Sequence, residues 1–392
     1  MVRHVGSPLD ALPTPSFVGS IPPKPRTPTD PDSMTLVDIF AGCGGGTLGL
    51  QQAGFRPISA VEVDPLAASA YERNIGLPPL TKDIRKVRAR ELAPAGVDVT
   101  LVFGCPPCQS FTVLRRGTEV TPEDRQRYQL LGEYLRMVAE LRPRHVAFEN
   151  VPGMRYARTS SRHPKRRPRT HPRLLRLLHQ LHELKYATVW GVLDAADFGV
   201  PQHRKRVVVI GSRVAKPRLP LPTHGPDTGT PWRTVKDVIG GLTPLDSGEV
   251  DPSDSYHAAR KHAPIVVERL EALGEGQARA DLPESLRLRC HKDHDGHYDI
   301  YGRMWWDRPA PTLTSGCTNV TRGRFAHPDQ ARAITLREAL LLQSFPDDAQ
   351  LRGGHEAMAL QIGNAVPPPL ARAVGLVIAE METASRASED PR

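Results

Sequence analysis

Between Leu36 and Asp64 the chain spells out a strand, a glycine-rich turn, a helix and a second strand, and that order leaves few folds open. Leu36-Val37-Asp38-Ile39-Phe40 is a short apolar run of the kind that forms a buried strand. Ala41-Gly42-Cys43-Gly44-Gly45-Gly46-Thr47-Leu48-Gly49 follows at once and opens a helix carrying Leu48, Leu50 and Ala53, which ends near Gly54. A second strand, Ile58 to Val63, closes on Glu62-Val63-Asp64. This is the first half of a nucleotide-type βαβ unit. The glycines let backbone approach a ligand, and an acid about 20 residues further on can bond ribose hydroxyls. Gly44 to Gly49 also satisfies G-x-G-x-x-G, so a nicotinamide dehydrogenase fits this stretch taken alone.

In an open α/β sheet chemistry is done at the carboxyl ends of the strands. The apolar run Val97 to Phe103 is followed there by Gly104-Cys105-Pro106-Pro107-Cys108-Gln109-Ser110-Phe111. The two prolines fix the backbone ahead of Cys108, so the chain continues as neither strand nor helix and the thiol is presented at a set angle. That suits a nucleophile; a surface turn with an incidental cysteine is the plainer alternative. Cys105 and Cys108 also make a C-x-x-C, but both intervening residues are proline and no thioredoxin-like context follows.

Further along, Asp83-Ile84 follows another short segment, and Asp124 to Leu141 reads as a helix with Leu130, Leu131, Tyr134, Leu135 and Val138 on its apolar face. The strand His145 to Phe148 ends in Glu149-Asn150-Val151, which puts an acid beside the nucleophile loop, where a general acid belongs; a turn-capping acid is the alternative. Arg155, Arg158, Arg162, Lys165, Arg166, Arg167, Arg169 and Arg173 then form a run with no acidic residue, either a solvated loop or a phosphate contact. A Leu-rich helix (174 to 184) and a strand (187 to 193) lead to Gln202-His203-Arg204-Lys205-Arg206 and the strand Val207 to Gly211. Alternation along a strand predicts that Gln202, Arg204 and Arg206 share one face.

The periodicity weakens from 212 to 305, which marks a separate lobe with helices expected at Trp232 to Leu242 and Ala259 to Leu273. Cys290, His291, His294 and His297 invite a zinc reading, but their spacing fits no zinc module. Leu336 to Phe345 reads as a helix capped by Thr335 and stopped by Pro346. Met358 to Met381 holds Gly363-Asn364-Ala365-Val366 ahead of an apolar helix. The expected division is a Pro-rich disordered leader (1–33), a catalytic and cofactor-binding domain (34–211), the lobe (212–305), a returning segment (306–381) and a frayed tail (382–392).

A formal charge of +9 and a pI near 9.5 suit a polyanionic partner. Five scattered cysteines argue for a reducing compartment rather than a disulfide framework. No apolar run approaches the roughly 20 residues a membrane span needs, and the N-terminus lacks a signal-peptide centre, so a cytoplasmic protein without a membrane role is expected.

With these pieces in order the chain resembles the DNA (cytosine-5) methyltransferase family of bacterial type. The resemblance runs from Met34 to about Met381, the 212–305 lobe excepted. It rests on Phe40-Ala41-Gly42-Cys43-Gly44-Gly45, on Pro107-Cys108-Gln109, on Glu149-Asn150-Val151, on Gln202, Arg204 and Arg206, and on Gly363-Asn364-Ala365-Val366. One departure is local: Arg125 and Arg127 stand where the family usually has Asp-x-Arg. The resemblance implies a Rossmann-like α/β sheet with helices on both faces and a smaller target-recognition lobe. It implies S-adenosyl-L-methionine (S-adenosylmethionine) as cofactor, held by Phe40, Ala41, Gly42, Gly44, Gly45, Glu62, Val63, Asp83, Ile84, Pro107, Leu130, Asn364 and Val366. Cys108 would add to carbon 6 of a cytosine turned out of duplex DNA, Glu149 would share a proton with ring nitrogen 3, and Arg206 or Arg204 would bond the ring oxygen and hold the carboxyl group. Gln109, Ser110, Asn150, Gln202, Arg162, Lys165, Arg166 and Arg167 would meet substrate or DNA. Double-stranded DNA is the implied partner of a monomer, and a cognate restriction endonuclease can accompany such an enzyme. The rivals are an RNA methyltransferase of the same chemistry, chiefly on transfer RNA, the dehydrogenase, and a DNA-binding protein that has lost catalysis.

Overall fold

Among the described residues six strands form one sheet: β1 (Met34–Ile39), β2 (Phe55–Val61), β3 (Leu101–Gly104), β4 (His145–Asn150), β5 (Ala187–Asp194) and β6 (Lys205–Ser212). The computed structural model describes residues 33–107, 122–155, 172–288 and 298–389. The strand order is β2-β1-β3-β4-β6-β5, with β1 to β4 parallel and β6 antiparallel to both of its neighbours. Because β6 runs backwards, its first residues lie at the same edge as the carboxyl ends of the others. The parallel strands are near-continuous apolar runs because both of their faces are covered.

Alternation sends neighbouring residues into different layers. Leu36 and Leu101 face a cluster with Leu50, Leu370, Val374 and Ile378, supplied by α1 (Gly45–Gln52) and the last helix (Pro368–Glu389). Val37 and Val102 face a second cluster with Tyr134, Val138, Leu177 and Leu181. These belong to α4 (Pro122–Leu141) and α5 (Pro172–Glu183), which follow α2 (Pro65–Ile75) and the single turn α3 (Ala89–Leu92). The expected sheet with helices on both faces is therefore present. Each such fully buried aliphatic side chain contributes about 1.5–3 kcal/mol relative to exposure.

Local chemistry sets the boundaries. Asp64 caps α2 by accepting from Leu66 and Ala67 amides, Pro65 takes the first helical position, and Gly76 ends the helix at φ 77°. β2 starts at Phe55, earlier than its apolar pattern suggests, because Pro57 is tolerated in an edge strand.

Beyond the sheet come α6 (Lys236–Ile239), α7 (Pro264–Glu271), α8 (Leu336–Leu342), α9 (His355–Asn364) and α10 (Pro368–Glu389). The helix expected over Trp232 to Leu242 shrinks to the single turn α6. Trp232 instead donates to Asp197 and packs edge-on to His203, and Gly240-Gly241 stops the turn. The helix expected from Ala259 begins only at Pro264, since a residue before proline avoids helical backbone. α8 has the expected Thr335 cap, completed by Glu338 reaching back to the Thr335 amide, and ends at Leu342. Val235 and Ile239 join a cluster with Ala41, Leu48 and Tyr71, while Leu270, Leu273 and Leu282 pack with Tyr301, Val320, Ala326 and Ala333. Apolar packing thus crosses the expected boundary between 305 and 306.

The last helix corrects the reading of residues from 382 as frayed: α10 continues to Glu389, and Glu382 is 0 % exposed. Against the expectation of no such run, an 18-residue window within His355–Glu389 is apolar enough to cross a membrane, but 67 % of that window is buried inside the protein. α10 lies close against α1, where a side chain on Gly49 would meet the Pro368 carbonyl at 2.1 Å. At the sheet edge remote from the glycine turn, Glu382 accepts from His145 Nε2 and Arg144 Nε, both at 2.9 Å, and from Arg386 Nε at 2.5 Å. Burial pushes the Glu382 carboxyl up, but the bonds from His145, Arg386 and Arg144 outweigh it and hold it at about 2 against an ordinary 4.5.

A carboxyl depressed in the folded state stabilises fully above its unfolded value and loses that contribution as pH falls through the folded value. Glu382→Ala is expected to cost about 3 kcal/mol in urea unfolding at pH 7. The gap between wild type and variant should shrink as pH falls from 4.5 toward 2, and an undiminished gap at acid pH would contradict the assignment.

Candidate active site

A cavity of about 470 Å³ opens at the carboxyl ends of β1 to β4 and is closed on the far side by the α9–α10 junction. Phe40, Ala41, Gly42, Gly45, Glu62, Val63, Asp83, Ile84, Pro107, Leu130, Asn364 and Val366 all line it. Gly44 does not, which corrects its expected place. It serves as the N-cap of α1 at φ 97°, and its open side faces Ile75 and Tyr71. Gly45 is the true close approach, since a side chain there would meet the Val366 carbonyl at 2.4 Å.

Glu62 ties the two halves of the βαβ unit together. One carboxyl oxygen accepts from the Gly42 amide at 2.8 Å and the other from the Asp64 amide at 2.9 Å. Burial raises its pKa, against the pull of the Asp64 and Gly42 amides. Next to it Val63 is 64 % exposed, an apolar surface on the cavity wall with no protein cover. Asp83 caps the following turn and pairs with Arg85, whose hydrogen bond lowers its pKa.

At the end of β4, Glu149 is 4 % exposed and held on both oxygens. Arg206 Nε lies 2.8 Å from Oε1, and the Cys105 thiol donates to Oε2 at 2.8 Å. The antiparallel register explains the pairing: Glu149 lies opposite Val208 and Asn150 opposite Val207, so Arg206 comes just beyond the strand end that carries the acid. Glu149, Arg204, Arg206 and Cys105 all line the cavity.

Of Gln202, Arg204 and Arg206, expected to converge, only the two arginines line the cavity, and they hold different partners. β6 begins at Lys205, so Gln202 and Arg204 precede it and strand alternation does not govern them. Gln202 is fully buried, donating to the Leu342 carbonyl and Gln343 and accepting from the Leu313 amide. The Arg204 guanidinium donates to the carbonyls of Leu313, Gly363 and Ala365, each at 2.9 Å, and so does not hold the Glu149 carboxyl as expected of Arg206 or Arg204 alike. Asn150 also turns from the cavity: its amide donates to the Pro106 carbonyl at 3.0 Å and braces the loop ahead of Cys108. Cys108, Gln109, Ser110, Arg162, Lys165, Arg166 and Arg167 lie outside the described residues, as do Cys290, His291, His294 and His297.

Asp38 and Cys105 line the cavity and escaped the motif reading. Asp38 sits inside an apolar strand run, where a charged residue is itself a signal. Cys105 was marked only as half of a C-x-x-C, and its place directly after β3 is what brings it to the cavity. Burial pushes the Cys43 and Cys317 thiols up to about 12, which leaves them neutral and unreactive at physiological pH.

Comparison with known proteins agrees with this geometry. The family described as C-5 cytosine-specific DNA methylase matches residues 34–380. The Type II methylase M.HgiDII of Herpetosiphon aurantiacus is 37% identical over 350 residues, covering 86% of this chain and 93% of its own length. The Type II methyltransferase M1.HphI of Haemophilus parahaemolyticus is 33% identical over 362 residues, covering 90% of this chain and 88% of its own. A prophage-encoded protein of E. coli with a crystal structure shares the fold at a TM-score of 0.65 and 22% identity, over 90% of this chain and 100% of that one. The chain belongs to the C-5 cytosine-specific DNA methylase family and is an enzyme that methylates cytosine in DNA.

Proposed function

We propose that the cavity binds S-adenosylmethionine and that Cys108 attacks carbon 6 of a cytosine turned out of duplex DNA, with Glu149 and Arg206 serving the polar edge of the ring. The observation that carries this reading is the Arg206–Glu149 pair, buried in the cavity that the glycine turn lines and into which the Cys108 loop leads.

The residues present fit the cofactor. A side chain added at Gly42 would meet nothing within 4 Å, so that wall of the cavity is open, and Phe40 with the Gly42–Gly45 turn would hold the methionine end. Each Glu62 oxygen accepts one amide and keeps a second lone pair for a ribose hydroxyl. The bare face of Val63 beside Ile84 and Asp83 would take the adenine, with Pro107, Leu130, Asn364 and Val366 completing the walls. When bound, the cofactor supplies an electrophilic methyl group.

Carbon 5 of cytosine is a poor nucleophile until a thiolate adds to carbon 6. A thiol of ordinary pKa of about 8.5 is only a few per cent ionised at neutral pH, so the Cys108 loop has to favour the thiolate. Addition sends negative charge into the ring. Glu149 in its protonated form gives that proton to ring nitrogen 3 and becomes the carboxylate that Arg206 stabilises, while Arg206 neutralises charge at the ring oxygen and keeps the carboxyl plane aligned. After methyl transfer, loss of the carbon 5 proton expels the Cys108 thiolate. Carbon 6 is closed off within stacked duplex, so the base must be extruded at a cost of a few kcal/mol. The basic run from 155 to 173 would offset that cost by phosphate contacts, and the lobe would read the major groove. Relatives bearing Type II names support a modification enzyme that shares its target site with a cognate restriction endonuclease.

Cys108→Ala should abolish methyl transfer to duplex DNA while S-adenosylmethionine and DNA still bind; continued methylation would overturn the nucleophile assignment. The two arginines should separate cleanly. Arg206→Ala is expected to lower kcat by about 10²–10³ in a folded protein, the scale of losing one transition-state donor. Arg204→Ala should instead cost about 3 kcal/mol of stability, because it strands three buried carbonyls. Unfolding curves and single-turnover rates on both variants check the contrast, and a stable but inactive Arg204→Ala would reverse the two roles.

A further inference from the structure

Asp38, the penultimate residue of β1 ahead of the glycine turn, lines the cavity and is used by none of the roles above. It is 1 % exposed. Its Oδ2 accepts from the Thr47 hydroxyl at 2.6 Å, and that hydroxyl lies 3.1 Å from the Tyr71 hydroxyl. Its Oδ1 is buried and has no hydrogen-bond partner. A buried carboxylate with one oxygen unserved is a costly state that protonation relieves.

The groups that face Asp38 make that state worse rather than better. α1 presents the Thr47 hydroxyl, and α2 the Tyr71 phenol, which burial keeps un-ionised. The turn after β2 presents Glu62, a like charge, while the register partners on β2 and β3 are Ala60 and Phe103. None of these brings a cation. Burial pushes the Asp38 carboxyl up from an ordinary 3.8 to about 7, with Thr47 pulling it down and the Glu62 charge adding to the rise.

S-adenosylmethionine carries an ammonium and a sulfonium against one carboxylate, so it brings net positive charge into a cavity walled by this group. We propose that Asp38 is a proton-linked counter-charge for the cofactor, holding a proton while the cavity is empty and releasing it to solvent when the cationic ligand enters. The inference rests on the cavity being the cofactor site. The balance is simple: a neutral carboxyl and a cation become a carboxylate beside the same cation, plus one solvated proton. No contact between Oδ1 and the ligand is required, because the field of a cation in a low-dielectric cavity favours the ionised form.

Titration calorimetry of the full chain with S-adenosylmethionine, at fixed pH in buffers of different ionisation enthalpy, reads this directly. At pH 7 the apparent enthalpy should vary with the buffer as release of about half a proton per cofactor requires, rising toward one proton at pH 6 and fading toward pH 8. Asp38→Asn keeps an oxygen for Thr47 and should bind with the buffer dependence gone. Glu62→Gln should bind more weakly with the dependence retained, which separates the two acids. Binding by wild type without proton release at pH 6 to 7, or an unaltered slope in Asp38→Asn, would overturn the proposal. Should Asp38→Asn fail to fold, the wild-type buffer and pH series decides alone. Failure of wild type to bind S-adenosylmethionine would sink the cavity assignment itself and the inference with it, and is distinguishable from binding without proton exchange.

Discussion

The ion pair between Arg206 and Glu149 is the interaction around which the catalytic edge is arranged. Both partners are buried, at 8 % and 4 % exposure, so each compensates the desolvation of the other, and removing either leaves a charge stranded. The pair exists only because β6 runs antiparallel to β4 and brings its first residues to the edge where β4 ends. A sixth parallel strand would deliver its amino end to the opposite edge and leave the acid alone. The reversed strand is therefore what turns a nucleotide-binding type of sheet into one that can manage charge on a second substrate.

A further constraint is that the chain closes on itself. The glycine turn directly follows β1, yet its far wall is the Gly363 to Val366 segment, more than 300 residues later. Arg204 joins the two by binding the carbonyls of Gly363 and Ala365 together with that of Leu313. α10 then runs back under the sheet against α1 and locks its far end through Glu382 to Arg144 and His145. Asn150 and Cys105 lace the segment from Cys105 to Pro107, just ahead of the proposed nucleophile, to the strand that carries Glu149. Placement of the reacting groups depends on that rigidity, since a catalytic group displaced by an ångström loses much of its effect.

Most of this was legible in the sequence where a local rule applied without interruption. The strand, glycine turn, helix and acid of residues 36 to 64 follow from apolar runs and turn chemistry, and Thr335 announced its helix by a capping box. The reading went astray where a rule was carried past the end of its element. Alternation placed Gln202 and Arg204 beside Arg206, but the strand starts only at Lys205. Gly44 belongs to the right motif and points the wrong way, because its role is a left-handed N-cap. Residues from 382 were read as frayed from their place near the last residues, whereas Glu382 finds a partner on a strand more than 200 residues earlier. Asp38 had no motif to mark it and Cys105 was marked only by a C-x-x-C read as lacking a redox context, so only tertiary proximity reveals what they touch.

The central claim is that Cys108, in the loop after β3, and the pair formed by Glu149 on β4 and Arg206 on β6 act on the same extruded base. The most direct measurement is peptide mapping of the covalent complex formed with duplex DNA carrying 5-fluorocytosine at the methylated position, in the presence of S-adenosylmethionine. The fluorine cannot leave as a proton does, so the adduct persists. Mass spectrometry should find the base joined to Cys108. An adduct on Cys105, or the absence of any adduct when the target sequence and cofactor are both supplied, would contradict the account.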